Sequence, residues 1–245
     1  MELLSDLKTL YHLAAKPVRG TSHAARLESF YAGQAAGYDR FRQRLLQGRR
    51  ELWDAIPVPA GGTWVDLGGG TGQNLEHFGE RIRDLKKLYV VDLCAPLLDV
   101  ARQRIRHHGW SNVEVVEADA TRFQPAEHSV DVVTFSYSLT MIPDWFAALQ
   151  QAHRLLRPGG LIGVVDFYVS RKYPRTGWRR HAWWTRTFWP AWFARDNVFL
   201  SPDHVPFLHW RFEPVQFHEC RARLPYVPLL RVPYYSFVGQ RVAEQ

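Results

Sequence analysis

The chain of 245 residues has only two cysteines, Cys94 and Cys220, and no Cys-x-x-Cys pair. That excludes a disulfide scaffold and a cysteine zinc cluster, and it suits a reducing cytoplasm. No apolar run approaches the ~20 residues needed to span a bilayer. The start, Met1 to Lys16, sets Glu2, Asp6 and Lys8 among its leucines, which suits an amphipathic helix and not a signal peptide. No set of His, Asp and Glu has metal-ligand spacing, so no metal is expected. Ser136 and Ser138 lack the Gly-x-Ser-x-Gly elbow, so a hydrolase has no support. Repeats and low-complexity tracts are missing too, and the length suits one large domain with additions.

Acidic residues are absent between Asp166 and Asp196, and this gap says more than the total charge. Arg171, Lys172, Arg175, Arg179, Arg180, Arg186 and Arg195 all fall inside it, matching in number the formal net charge of +7. Trp178, Trp183, Trp184, Trp189 and Trp192 lie there as well, with Phe188 and Phe193 between them. Arginine with tryptophan favours a membrane interface, where the ring sits at headgroup depth and the cation meets lipid phosphate. Single-stranded nucleic acid is the rival partner, since it too is gripped by stacking rings and cations. The absence of a lysine-rich tract weighs against it.

The periodicity predicts helix over Ser22 to Ile56, broken near Gly33 and Gly37, and then alternating strands and helices. Strands are expected at Thr63–Leu67, Lys87–Leu93, Val113–Glu117, Val130–Ser136 and Leu161–Tyr168. Helices are expected near Gln73–Arg83, Ala95–His108 and Asp144–Leu156, with Arg157-Pro158-Gly159-Gly160 stopping the last. Strand, helix, strand in this order implies right-handed crossovers and a mostly parallel, seven-stranded Rossmann-like α/β sheet with helices on both faces. Trp210–Cys220 and Pro233–Val242 complete it as an antiparallel edge hairpin. The organisation expected is an N-terminal helical cap over 1–56 and a cofactor-binding domain over 57–245, with an aromatic and basic insertion at about 169–209.

The ligand of such a sheet sits beyond the carboxyl ends of its strands. Val65-Asp66-Leu67-Gly68-Gly69-Gly70-Thr71-Gly72 follows the first strand, and Asp92 ends the second, where it can accept both ribose hydroxyls. A dinucleotide fold prefers Gly-x-Gly-x-x-Gly beneath a pyrophosphate. Here the glycines Gly68, Gly70 and Gly72 run Gly-x-Gly-x-Gly, and Asp66 precedes them, able to approach a cationic methionyl group. Both features favour S-adenosyl-L-methionine over a nicotinamide. Asp119 can accept from the adenine amino group, Leu93 and Ala120 can cover the ring, and Ser136 ends the fourth strand.

With these motifs assembled, the chain resembles the class I S-adenosylmethionine-dependent methyltransferases over about Phe30 to Val242. A closer resemblance is to the N-methyltransferases of betaine-lipid synthesis. It rests on Phe30-Tyr31-x-Gly33-Gln34-Ala35-x-x-Tyr38-Asp39, Thr134 through Trp145, Val165 through Ser170, and Phe188-Trp189-Pro190 through Asn197 to His204. The resemblance implies three methylations of the amino group of diacylglyceryl homoserine. It further implies a cytoplasmic enzyme peripheral to the inner face of a membrane, associating with the enzyme that makes this lipid and not with nucleic acid. Phosphatidylethanolamine and a quinone precursor are the alternative acceptors.

Methyl transfer is an in-line displacement, so the protein gains mostly by alignment. A trimethylated product is a permanent cation without hydrogen-bond donors, which aromatic faces can stabilise. Tyr31, Tyr137 and Tyr168 are the catalytic candidates, with Tyr38 beside the cofactor. Arg171 or Arg186 suits the homoserine carboxylate through paired hydrogen bonds. His181 and His204, in the insertion, are candidate substrate contacts able to accept a proton.

Overall fold

The computed structural model describes residues 45–127, 129–224 and 227–242. The expected N-terminal cap, with Tyr31 and Tyr38, falls almost wholly outside them. The described chain opens with helix α1, Arg49–Ala55, which buries Leu52 and Trp53.

Strands β1 (Thr63–Leu67), β2 (Lys87–Asp92), β3 (Val113–Glu117), β4 (Val130–Ser136) and β5 (Leu156–Phe167) run parallel, and β6 (Glu213–Leu224) and β7 (Val227–Gln240) close the sheet. The spatial order is β3-β2-β1-β4-β5-β7-β6, with β7 antiparallel to both neighbours. The order reverses between β1 and β4, which opens a crevice at their carboxyl ends. β1 is buried along its whole length, as a central parallel strand between two helical layers must be.

Side chains alternate between two cores. Trp64, Leu88, Val90, Val165 and Phe167 meet Trp53 of α1, Leu98 of α2 (Ala95–His108) and residues of α4 (Trp183–Ala194) on one face. Val65, Val91, Val133, Val164 and Tyr235 meet α3 (Trp145–Leu155) and α5 (His204–Arg211) on the other. Asp144 starts α3 by accepting from the amide of Ala147 at 3.0 Å, satisfying one donor of the first turn.

Several boundaries depart from the sequence expectation, among them the start of β7 at Val227 and not at Pro233. Residues Gln73–Asp84 form 3-10 turns kinked at Gly79, φ 56°, and not an α-helix. β5 begins at Leu156, which pairs with Val130. The Arg157–Gly160 turn is therefore an irregularity inside the strand pairing, not a gap before it. Residues 204–211 are helical, so β6 starts at Glu213 and not near Trp210.

Candidate cofactor and acceptor site

A cavity of about 380 Å³ lies at the carboxyl ends of β1 to β4. Its walls include Gly68, Gly70, Asp92, Leu93, Asp119, Ala120, Ser136 and Tyr137, the residues expected there from strand-end positions.

The glycine loop is bolted to the end of β2. The amides of Gly68 and Gly69 donate to the carbonyl of Val91 at 2.8 and 3.1 Å, and that of Gly70 donates to Asp92 Oδ2 at 3.0 Å. The amide of Cys94 donates to Asp92 Oδ1 at 2.9 Å. Backbone amides thus fix the direction of both Asp92 oxygens, and a carboxylate held this way suits a vicinal diol. Gly68 sits at φ 74°, and a Cβ built on it would stand 2.3 Å from Cβ of Ser138. Only glycine fits.

Asp119 serves two ends. Its Oδ1 accepts from the amide and the hydroxyl of Thr121, both at 2.8 Å, capping the turn after β3, while the residue faces the cavity beside Ala120. Asp119 thus both caps a turn and lines the cavity.

Asp66 and Gly72 lie beneath the cavity and not in its wall. Asp66, 2% exposed, accepts from Thr134 Oγ1 at 2.8 Å and from Asn74 Nδ2 at 3.1 Å. Burial lifts its pKa to about 6. It reaches the cavity through Asn74, a wall residue whose Oδ1 is buried and unpartnered. Gly72 turns the chain at φ 66° into Gln73 and packs near Ala101.

The orphan acceptor of Asn74 and the unpartnered hydroxyl of Ser136 test the fit of S-adenosylmethionine. A buried polar atom without a partner is costly, and both become satisfied beside a ligand carrying ammonium and hydroxyl donors. Asp92 suits the ribose, and Leu93, Leu97 and Ala120 supply apolar cover for a purine. The residues present fit the cofactor.

Tyr137 stands at φ 53°, unusual for a non-glycine residue. Its hydroxyl donates to the carbonyl of Gln47 at 2.5 Å, and its ring meets Phe167 at 4.6 Å. Burial raises its pKa well above the usual tyrosine value, so it stays a neutral phenol that ties the chain before α1 to the end of β4. The sequence offered no sign of three further wall residues, Arg49, Gln73 and Asn74. Arg49 donates through Nη1 to Gln73 Oε1 at 3.3 Å.

The other candidates are not gathered at this cavity. The hydroxyl of Tyr168 donates to Glu219 Oε1 at 2.6 Å, in a second cavity beyond β5. Arg171 pairs with Asp203 through Nε at 2.6 Å in that same place. His181 is locked to Ser170, its Nδ1 accepting from the Ser170 amide at 3.0 Å and its own amide donating to Ser170 Oγ at 2.8 Å. Burial pulls its pKa down to about 4. Arg186, on α4, is half-buried with Nε unpartnered. The insertion turns away at the end of β5, which carries all four from the cofactor cavity.

His204 is fully buried at the start of α5, against the rings of Trp145 and Tyr235, with neither ring nitrogen hydrogen-bonded. Burial lowers its pKa to about 3. The unfolded chain then binds a proton that the folded chain refuses. Stability from this group is complete above the ordinary pKa of about 6.5 and falls as the pH drops toward the folded value. Relative to His204→Leu, the parent is expected to lose about 2 kcal/mol in urea unfolding by about pH 5, compared with about pH 7.5. Parallel pH profiles of the two proteins would sink this assignment.

No group of three or more His, Cys, Asp and Glu able to hold a metal ion occurs among the described residues. None of their helices is long and apolar enough to cross a membrane.

Comparison with known proteins agrees with this geometry. Residues 65–160 match the family described as "Methyltransferase domain". The chain is 30% identical over 162 residues to the ubiquinone/menaquinone biosynthesis C-methyltransferase UbiE of Hahella chejuensis, covering 64% of this chain and 65% of that relative. The chain thus spans slightly less than two thirds of that protein's length. Among solved structures, phosphoethanolamine N-methyltransferase 2 of Haemonchus contortus in complex with S-adenosyl-L-methionine aligns with a TM-score of 0.67 at 14% identity, over 91% of this chain and 61% of that one. The N-methyltransferase NodS of Bradyrhizobium japonicum aligns with a TM-score of 0.56 at 16% identity, over 86% and 99%. At such identities the likeness is one of fold. Sheet order, glycine loop, strand-end acids and the match over residues 65–160 converge: the chain has the Rossmann-like fold of its methyltransferase neighbours, with a cavity fitted to S-adenosylmethionine.

Proposed function

We propose that the chain is a lipid N-methyltransferase that works at a membrane surface and converts the amino group of diacylglyceryl homoserine to its trimethylated form. One observation carries the reading: the aromatic insertion is exposed to solvent and joined to the cavity wall. Trp184, Phe188 and Trp192 recur every fourth residue on α4 and stand 50%, 38% and 47% exposed, a stripe along one side of the helix. From the buried side of α4, Phe193 meets Phe167 at 5.0 Å, and Phe167 meets Tyr137 in the cavity wall. Where the insertion returns, the amide of Phe199 donates to the carbonyl of Thr140 at 2.7 Å, next to Met141 and Ile142 of the wall. A lipid held by the stripe would therefore keep its headgroup near the transferred methyl.

When bound, the cofactor supplies an electrophilic methyl group on a sulfonium. Asp92, Leu93, Asp119 and Ala120 would hold its nucleoside, and Gly68, Gly70 and Asn74 its methionyl end. The protein must align the amine and exclude water. The described wall has no histidine or lysine. Its phenol, Tyr137, is held neutral. That set suits an amine, which is partly neutral near its pKa of about 8 and can pass its proton to water in the first two rounds. A quinone precursor is the second reading, favoured by the Hahella relative. Its carbon nucleophile calls for a base, and the carboxylates of the described wall are assigned elsewhere, Asp92 to the ribose, Asp119 to the adenine and Asp144 to the start of α3.

The test is mass spectrometry of products from the full chain, S-adenosylmethionine and vesicles containing diacylglyceryl homoserine. Gains of one, two and three methyl groups are expected. The Trp184→Ala/Trp192→Ala variant should lose about tenfold or more of the vesicle rate, on the scale of two interfacial aromatics, while keeping the rate on a short-chain soluble analogue. Methylation of a quinone precursor with none on the lipid would overturn the proposal.

A further inference from the structure

A second cavity, of about 300 Å³, opens beyond the end of β5 and shares no lining residue with the first. It belongs to the side of the sheet covered by α5, and the segment 171–179 forms its other wall. Its composition is unusual for a surface hollow. Three guanidinium groups, of Arg171, Arg175 and Arg179, share it with the rings of Tyr173, Trp178 and Trp210.

The charges are unevenly spent. Arg171 is engaged by Asp203. Glu219, the one acid in the lining, is satisfied at both oxygens: Oε1 accepts from Tyr168 and Oε2 from the amide of Arg179 at 2.7 Å. Those two bonds fix Glu219 against the cavity wall, and the second engages the main chain of Arg179 and not its guanidinium. Among the described residues, neither Arg175 nor Arg179 has a carboxylate in salt-bridge reach of its guanidinium. His209 donates from Nδ1 to the carbonyl of Val205 at 3.0 Å and packs on Trp178 at 4.6 Å. Burial lowers its pKa, so it adds no charge. The lining thus carries an excess of cation, and the excess belongs to the residue type that holds phosphate oxygens in pairs.

The rim is apolar. Trp210 and Tyr173 are 72% and 73% exposed, and Phe207 connects Trp210 at 5.6 Å to the exposed Phe146 at 4.7 Å. Pro174, Pro202 and Pro206 complete the mouth. Such a surface covers aliphatic chain better than it covers water.

We propose that this cavity is a binding site for the phosphate of an anionic lipid, held by Arg175 and Arg179 with its acyl chains lying over Trp210 and Tyr173. The site is separate from methyl transfer and goes beyond the acceptor assignment above. It would give the enzyme a headgroup-specific hold on an anionic lipid, independent of the stripe on α4.

The experiment titrates the full chain with dihexanoylphosphatidylglycerol below its micelle concentration, followed by tryptophan fluorescence, since Trp178 and Trp210 line the cavity. Saturable binding is expected, weakened about tenfold or more in Arg175→Gln/Arg179→Gln, on the scale of losing two charge-assisted contacts. Both side chains are exposed, and glutamine leaves the Arg179 amide bond to Glu219 intact. Affinity for S-adenosylmethionine should be that of the parent, which shows that the variant folds. Trp184→Ala/Trp192→Ala should bind the probe unchanged, separating this site from the stripe on α4. Equal binding by parent and the arginine variant would overturn the proposal, as would binding of dihexanoylglycerol as tight as that of the charged probe. Inorganic phosphate bound as tightly as the lipid would overturn the lipid assignment in favour of a soluble phosphate.

Discussion

Asp92→Ala is expected to weaken S-adenosylmethionine binding by about 100-fold or more in calorimetric titration, because two charge-assisted hydrogen bonds of about 1.5–3 kcal/mol each disappear together. The loss has a second source. Asp92 also holds the amides of Gly70 and Cys94, so the alanine variant frees the glycine loop that the cofactor rests on. Asp92→Asn separates the two contributions. It keeps one carbonyl oxygen as an acceptor and should fall between parent and alanine. An alanine variant that folds normally and binds the cofactor within about threefold of the parent, under 1 kcal/mol, would refute the cofactor assignment.

Gly68→Ala should act through shape alone. A left-handed backbone costs a residue with a Cβ about 1–3 kcal/mol, and the new methyl would lie 2.3 Å from Cβ and 2.9 Å from Oγ of Ser138. Ser138 cannot swing away freely, since its hydroxyl donates to the carbonyl of Leu67 at 2.9 Å. Overpacking of this kind adds about 1–3 kcal/mol more, and the displaced loop should lower cofactor affinity about tenfold or more. Gly79→Ala supplies the control. That glycine has φ 56° with nothing within 4 Å of a built Cβ, so it carries the backbone cost without the clash. Thermal unfolding should therefore rank parent, Gly79→Ala, Gly68→Ala in falling order. Removing the clash with Gly68→Ala/Ser138→Gly should recover part of the cofactor affinity. Gly68→Ala no worse than Gly79→Ala would mean that the loop is not packed against Ser138 as described.

The two substitutions probe features that a reader of the sequence can find, and the reason is their locality. β1 and β4 were legible to the residue because a central parallel strand is a short apolar run bounded by turn residues, and the edge strand β3 because β-branched valines fill Val113–Glu117 after a turn. Helix α2 was legible because Pro96 and Gly109 mark its ends. Asp92 and Asp119 follow from counting to the ends of such strands, where topology alone sets the position of a ligand. α4 and α5 left a weaker trace. Pro190 and Pro206 sit inside them, and aromatic residues on nearly every side blur the helical period.

The strands, the glycine loop and the acids at the strand ends can be read from the chain, because each depends on neighbours a few residues away. Which distant side chains share a cavity emerges only on folding. Folding buries Asp66 under Asn74, commits the hydroxyl of Tyr137 to Gln47, brings Arg49 to the wall, and carries Tyr168, Arg171, His181, Arg186 and His204 away from it. Those outcomes turn on the path of one long insertion past the end of β5. Segment 171–179 lies on the side of α5 while α4 packs on the opposite core, and no local period in the chain encodes that crossing.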